Sequence, residues 1–278
     1  MPPDPALLSL NTATVRAQWK LDRIIAGCER HGIRGIAPWR DQIAELGLDE
    51  TKRRIRDAGL TVTGLCRGGF FTARGRAGLA ATIEENRRAI EEAAELSAQC
   101  LVLVVGGLPK GSRDLGAARA LVEEGVAAIL EHARNAAVPL AIEPLHPMYA
   151  ADRACVNTLE QALDLCDALD PAPSGALGVA VDAYHVWWDP KLEEQIARAG
   201  RARILAFHVC DWLVPTTDLL NDRGMMGDGV IELRRIRRAV EDAGFTGFIE
   251  AEIFSDRWWA EPIDRVLATC VERYRTVV

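Results

Sequence analysis

Eight short apolar runs, each followed by a stretch of helical periodicity, leave this chain few folds to choose from. The runs lie at 7–11, 33–39, 60–66, 100–105, 139–143, 176–182, 203–208 and 247–253. Helical periodicity follows at 15–31, 49–58, 81–98, 115–137, 158–169, 191–200, 231–243 and 262–275. Gly32 and Gly59 stand just past the first two of these stretches, where a left-handed C-cap suits glycine. Strand and helix in strict alternation imply a parallel sheet, and eight repeats imply that the sheet closes. The expected fold is an α/β (β/α)₈ TIM barrel, with residues 1–278 forming a single domain. An open doubly wound sheet is the alternative, but its GxGxxG fingerprint after the first strand is missing.

Bulk properties narrow the function only by exclusion. The chain has 278 residues, 49% hydrophobic and 26% charged, which is enough to bury a core without disulfides. A formal net charge of −7 argues against a nucleic-acid surface. Seven cysteines, an odd number without CxxC spacing, suggest reduced thiols. The N-terminal Met-Pro-Pro-Asp-Pro lacks a signal-peptide pattern, and no apolar run approaches the roughly 20 residues of a membrane span. The expectation is a cytoplasmic protein with no nucleic-acid or membrane partner.

Four of the later runs end on chemistry. Glu143, Asp182, His208 and Glu252 close them, 39, 26 and 44 positions apart. Side chains two apart in a strand share a face. Glu143 therefore points with Ala141, Asp182 with Ala180 and Gly178, His208 with Ala206, and Glu252 with Glu250 and Phe248. The opposite faces carry Leu140 and Ile142, Val179 and Val181, Leu205 and Phe207, as burial under outer helices requires. All four polar ends then face the barrel axis at the carboxyl ends of the strands, where barrels place active sites.

Three acids on one axis repel each other, and an inward charge costs several kcal/mol unless paired. One divalent cation held by Glu143, Asp182, His208 and Glu252 removes the conflict; three oxygens and an imidazole suit Mn²⁺, Mg²⁺, Co²⁺ or Zn²⁺. The plainer reading pairs the acids with arginines and makes His208 a core histidine. Glu250, one layer deeper, is the rival for fourth ligand.

The strings IEPLHP, VDAYHVWWDP, FHVCDW, DRGMMGDG and EAEIF resemble the sugar-phosphate isomerase/epimerase family, the xylose-isomerase-like TIM barrels. That family includes ketose 3-epimerases, hydroxypyruvate isomerases and inosose dehydratases. The resemblance implies an isomerase or epimerase of carbohydrate metabolism acting on a small sugar or sugar-like hydroxycarbonyl. Its ion, Mn²⁺ first, would support a cis-enediolate, with Glu143 and Glu252 as the proton-transferring catalytic pair. His185 and Arg223 would contact substrate oxygens. Relatives are often dimers or tetramers, which implies a homodimer or homotetramer. A dehydratase using the same enolate, and a non-catalytic partner subunit, are the alternatives.

One departure concerns the substrate. The ketose-epimerase branch carries a second glutamate six positions after the first ligand, and here that position is Tyr149. The segment reads His146, Met148, Tyr149, Asp152, Arg153, so the sugar's identity does not carry over; His146 is retained as a substrate contact. Trp187 and Trp39 are further candidates, because aromatic faces suit sugar C–H surfaces. Arg67, Lys110 and Arg113 read as solvated charges rather than a phosphate site. The stretch from Asp211 to Asp228, without evident secondary structure, reads as a pocket wall, and Asp211 as either an orienting group or a turn cap.

Overall fold

The apolar runs become parallel strands because both of their faces are covered, one by the barrel interior and one by an outer helix. The structure, a computed structural model, describes residues 2–73 and 75–278. Its strands are β1 Leu8–Asn11, β2 Gly35–Ala37, β3 Thr61–Val62, β4 Leu65–Gly69, β5 Leu101–Val104 and β6 Leu140–Ile142. They continue as β7 Leu177–Asp182, β8 Ile204–Val209, β9 Asp211–Trp212, β10 Arg223–Gly224 and β11 Ile249–Ala251. The helices are α1 Leu21–Arg30, α2 Arg40–Leu46, α3 Leu48–Asp57, α4 Gly75–Glu95, α5 Leu115–Asn135 and α6 Leu159–Leu169. The remainder are α7 Ala183–Val186, α8 Leu192–Arg203, α9 Leu233–Asp242, α10 Asp256–Trp259 and α11 Ile263–Thr276.

Nine parallel strands form one sheet in the order β3-β2-β1-β11-β8-β7-β6-β5-β4. The first and last of that order are successive pieces of one strand position, parted by Thr63 and Gly64. The Trp39–Cys66 bridge and the Cys66 amide donating to the Pro38 carbonyl at 3.1 Å tie this seam. The result is a nearly closed (β/α)₈ barrel. Its third strand is broken, where the sequence suggests one continuous run over 60–66.

Alternation sorts the side chains as expected except at Leu205, which packs against the inner group because the register slips between β7 and β8 there. Cys66, Val102, Ala141, Ala180 and Ala206 pack together inside the barrel. Leu140, Ile142, Val179, Val181 and Phe207 join the larger core under the helices. Small interior residues leave room above them. Lower down the lining is tight: a Cβ on Gly35 would lie 2.6 Å from Ser9 Cβ and 2.8 Å from Phe248 and Thr63 atoms. Any larger residue there would force the strands apart.

The outer helices form on amphipathic stripes. In α9 the buried residues Leu233, Ile236, Arg237 and Val240 recur at helical spacing. Asp114 caps α5, accepting from the Ala117 amide at 3.0 Å. At the far end of the barrel Arg203 and Asp170 form a buried ion pair at 3.0 Å.

Three short helices, α2, α7 and α10, have no counterpart in the sequence reading. The segment from Asp211 to Asp228 also differs from expectation, because β9 and β10 pair in it as an antiparallel ribbon. Asp211 accepts from the amides of Trp212, Gly227 and Ile231 at 2.8–2.9 Å, so it caps this turn and does not touch His208 or Arg223. All seven cysteines are buried and unpaired. Among the described residues no helix is long and apolar enough to cross a membrane.

Candidate active site

Four strands deliver the four polar ends to one place. Glu143 follows β6, Asp182 ends β7, His208 lies in β8 and Glu252 follows β11. Each can offer one ligand atom, and these atoms lie within 4.8 Å of one another. All four residues are buried, Asp182 completely so at 0% exposure. Glu143 accepts from His208 Nδ1 at 3.0 Å.

Beside them sits a guanidinium. Arg223, 4% exposed, reaches in from β10 and donates through Nη1 to Glu252 Oε2 at 2.9 Å and to Asp182 Oδ2 at 3.3 Å. Its Nη2 lies 3.2 Å from His185 Nε2. Arginine can only donate, so His185 Nε2 accepts and its proton sits on Nδ1. Asp182 also starts α7, its Oδ1 accepting from the Tyr184 amide at 2.8 Å, and the short helix carries His185 back over the site.

The deeper acid has named partners. Glu250 accepts from Asn11 Nδ2 at 2.8 Å and Thr63 Oγ1 at 2.9 Å, and its Oε1 lies 3.7 Å from His208 Nε2. Asn11 Nδ2 also donates to Glu252 Oε1 at 2.9 Å, while Asn11 Oδ1 accepts from Trp39 Nε1 at 2.8 Å. Glu250 is thus held by Asn11 and Thr63 beside the group of four. Cys66, Glu250 and Glu252 form a second, overlapping group with ligand-atom spacing.

Burial and mutual repulsion set the protonation states. Glu252 is pushed up to about 8, by burial first and by Glu143 and Asp182 against the pull of Arg223. Burial would raise Asp182 too, but His185, Arg223 and His208 hold it below its ordinary value. His185 is driven down to about 3, chiefly by burial, and is neutral at ordinary pH. Burial opposes a charge on His208, yet Glu250, Glu143 and Glu252 carry it well above the usual imidazole range.

These features fit a divalent cation. Four buried carboxylates, Glu143, Asp182, Glu250 and Glu252, surround one guanidinium and two imidazoles, of which His185 is neutral. Even with His208 protonated the group is short of positive charge. The His208 Nε2 atom is buried without a hydrogen-bond partner, facing Glu250. An imidazole that ligates through one nitrogen and turns the other to a carboxylate is a common metal arrangement. The residues that would hold the ion are Glu143, Asp182, His208 and Glu252.

A cleft opens onto this cluster, bounded by Glu143, Glu252, His185, Arg223, Trp39 and Tyr149 among others. Of the expected substrate contacts, Trp39, His185 and Arg223 border it. His146 and Trp187 do not; they belong to an aromatic group around Trp212, at centroid distances of 4.9 and 5.9 Å. Alternation does not reach these two, since both lie beyond their strand ends. Asn11, Thr63 and Tyr149 were not assigned roles from sequence, and Arg67 and Arg153, read as solvated or left unassigned, also line the cleft.

The chain is similar to inosose isomerase from Bacillus velezensis, at 22% identity over 282 residues, covering 98% of this chain and 96% of that one. A crystal structure of a Sinorhizobium meliloti 1021 protein matches with a TM-score of 0.95 and 62% identity over 99% of both chains. The crystal structure of an IolI protein with a bound zinc atom matches at 0.83 and 21% identity, over 98% of this chain and 97% of that one. Residues 25–272 match the family model described as the xylose isomerase-like TIM barrel, and the chain belongs to that family.

Proposed function

We propose that this protein is a divalent-metal-dependent isomerase or epimerase of a small sugar or sugar-like hydroxycarbonyl. The observation that carries the reading is the convergence of Glu143, Asp182, His208 and Glu252, with ligand atoms within 4.8 Å, at the floor of a cleft. Mn²⁺ is the ion we favour; zinc is the metal in the IolI relative. When bound, the cation would polarise the substrate's carbonyl and neighbouring hydroxyl and stabilise the charge left by proton removal.

The chain's own residues account for the rest. Glu143 and Glu252 both border the cleft and are the carboxylates able to accept and return a carbon-bound proton. Asn11 and Arg223 fix the two oxygens of Glu252, so this carboxylate cannot swing away. Arg223, itself stacked 4.3 Å from the Tyr184 ring centroid, offsets negative charge on substrate oxygens. Neutral His185 orders Arg223 without adding a charge. Tyr149 and Phe254 wall the cleft against water.

The test is solvent deuterium uptake. With Mn²⁺ added, a responsive ketose or inosose should acquire deuterium at one carbon in D₂O. Glu143→Gln should keep the wild-type circular dichroism and lose at least ~100-fold of that rate. Exchange at the wild-type rate in the variant rejects the role of Glu143. A product lighter by one water would reassign the same residues to elimination.

A further inference from the structure

The upper wall of the cleft carries two guanidiniums that, among the described residues, have no close buried acid to pair with: Arg67 has no ion pair and Arg153 only a 3.9 Å one to exposed Asp152. Arg67 makes no hydrogen bond or ion pair among the described residues, and stacks instead on Phe70 at 4.1 Å and Trp39 at 5.8 Å. The nearest acid on that side, Asp41, is engaged by Arg16. Arg153 lies over the Tyr149 ring at 5.5 Å, and its nearest carboxylate, on exposed Asp152, is 3.9 Å away. Both arginines border the same cleft as Glu143 and Glu252. The third cleft guanidinium, Arg223, is by contrast engaged through Nη1 and Nη2 by Asp182, Glu252 and His185.

Arg67 is brought there by a defect in the sheet. Between β4 and β5 the register slips: Cys66 pairs with Val102, but Gly68 with Leu103, leaving Arg67 as the extra residue. In a regular strand Arg67 would face the helices, opposite to Cys66. With the bulge, consecutive side chains Cys66 and Arg67 both line the cleft, and Gly68 turns outward against Asn86 and Leu103. A Cβ on Gly68 would sit 2.6 Å from Asn86 Oδ1, so the outward turn needs glycine. Bulges beside active sites commonly re-aim a side chain in this way.

We infer that Arg67 and Arg153 bind an anionic group of the substrate, a carboxylate or phosphate, at the end remote from the four acids. This rests on the reading of the site as a metal-dependent isomerase or epimerase. The cleft is then bipolar, with an acidic floor for a cation and a cationic wall for the substrate's own charge. A neutral sugar would leave both guanidiniums unmatched, while an anion meets a fork of donors backed by aromatic faces. Burial, with the nearby Arg153 charge adding to it, lowers the pKa of Arg67, a penalty that an anion relieves.

Calorimetric titration of the Mn²⁺-loaded protein with D-fructose, D-fructuronate and D-fructose 6-phosphate tests the inference. At least one anion should bind about tenfold or more tighter than fructose, the scale of one charge-assisted hydrogen bond. That ratio should collapse toward one in Arg67→Met and in Arg153→Met, and be partly kept in Arg67→Lys. Preference between the two anions separates a carboxylate site from a phosphate site. Equal binding of all three, no detectable binding of any, or a ratio that survives both substitutions overturns the inference. Metal content and the Glu143-dependent deuterium exchange are read on the same samples, so failure of the metal chemistry is seen separately.

Discussion

The side-chain amide of Asn11 binds Glu252 and Glu250 with one nitrogen, at 2.9 and 2.8 Å, and so sets the spacing of two acids on the same strand. The indole of Trp39 holds the other end of that amide. The arrangement fixes Glu252 from behind, leaving its second oxygen to Arg223.

Asn11→Leu should therefore loosen the site without unfolding the barrel. Outer partners of metal ligands are worth ~10–100-fold in affinity or activity. We expect a Mn²⁺ dissociation constant raised by about that factor, measured by calorimetry, with the metal-free protein also less stable because the Trp39 indole and the Ala13 amide lose their acceptor. Unchanged affinity would show that Asn11 only fills space.

Removing Arg223 tests the charge balance. Arg223→Leu strands Asp182 and Glu252 beside each other in the interior, and breaking a buried pair from one side costs about 3–5 kcal/mol. The metal-free variant should lose about that much in urea denaturation. Added Mn²⁺ should restore a larger share of stability than it gives to the wild type. Equal stabilisation of the two proteins would argue against a cation at this position.

The pH dependence follows from Glu252. Its folded pKa, pushed up to about 8, lies above the ordinary carboxylate range. The protonated form is thus favoured in the metal-free fold, and its stabilising contribution, full at low pH, is lost as pH rises through about 8. A cation replaces that proton. The gap in melting temperature between metal-loaded and metal-free protein should widen from pH 5 to 8, with at least about one proton released on binding. Titrations in two buffers of different ionisation heat measure the release. A gap that does not change with pH would contradict the assignment.

Asp170 provides the contrast at the other end of the barrel. It anchors Arg203 at 3.0 Å and Arg134 at 2.9 Å, far along the strands from the cleft. Asp170→Ala leaves the buried Arg203 with only half-exposed Asp167, at 3.3 Å, as an acidic partner and should cost about 3 kcal/mol in denaturation. Metal affinity should stay at the wild-type value.

The ring of polar strand ends was legible in the sequence because a period of two decides which side chains share a face. Ala141, Ala180 and Ala206 marked the inner face as clearly as the acids did. The partners of Glu250 were not legible. Asn11 lies 239 positions away, and only closure of β1 against β11 brings the two together. The re-aimed Arg67 was hidden for a similar reason, since a bulge belongs to a pair of strands and not to one. Residue type alone suggests His146 and Trp187 as substrate contacts, and it carries no sign that both pack around Trp212. The single turn α7 is too short for any periodicity, and it exists because Asp182 caps it.

The segment that bears Arg223 is fastened to the barrel at Leu219, whose carbonyl receives the hydroxyls of both Tyr149 and Tyr184. Leu220, next along, covers the cleft. The covering and the guanidinium thus lie on one piece of chain, which Phe254 and Ser255 also hold. Were that piece to swing outward, the same stroke that admits a sugar would strip Asp182 and Glu252 of their counter-charge, tying entry to the arrival of an ion.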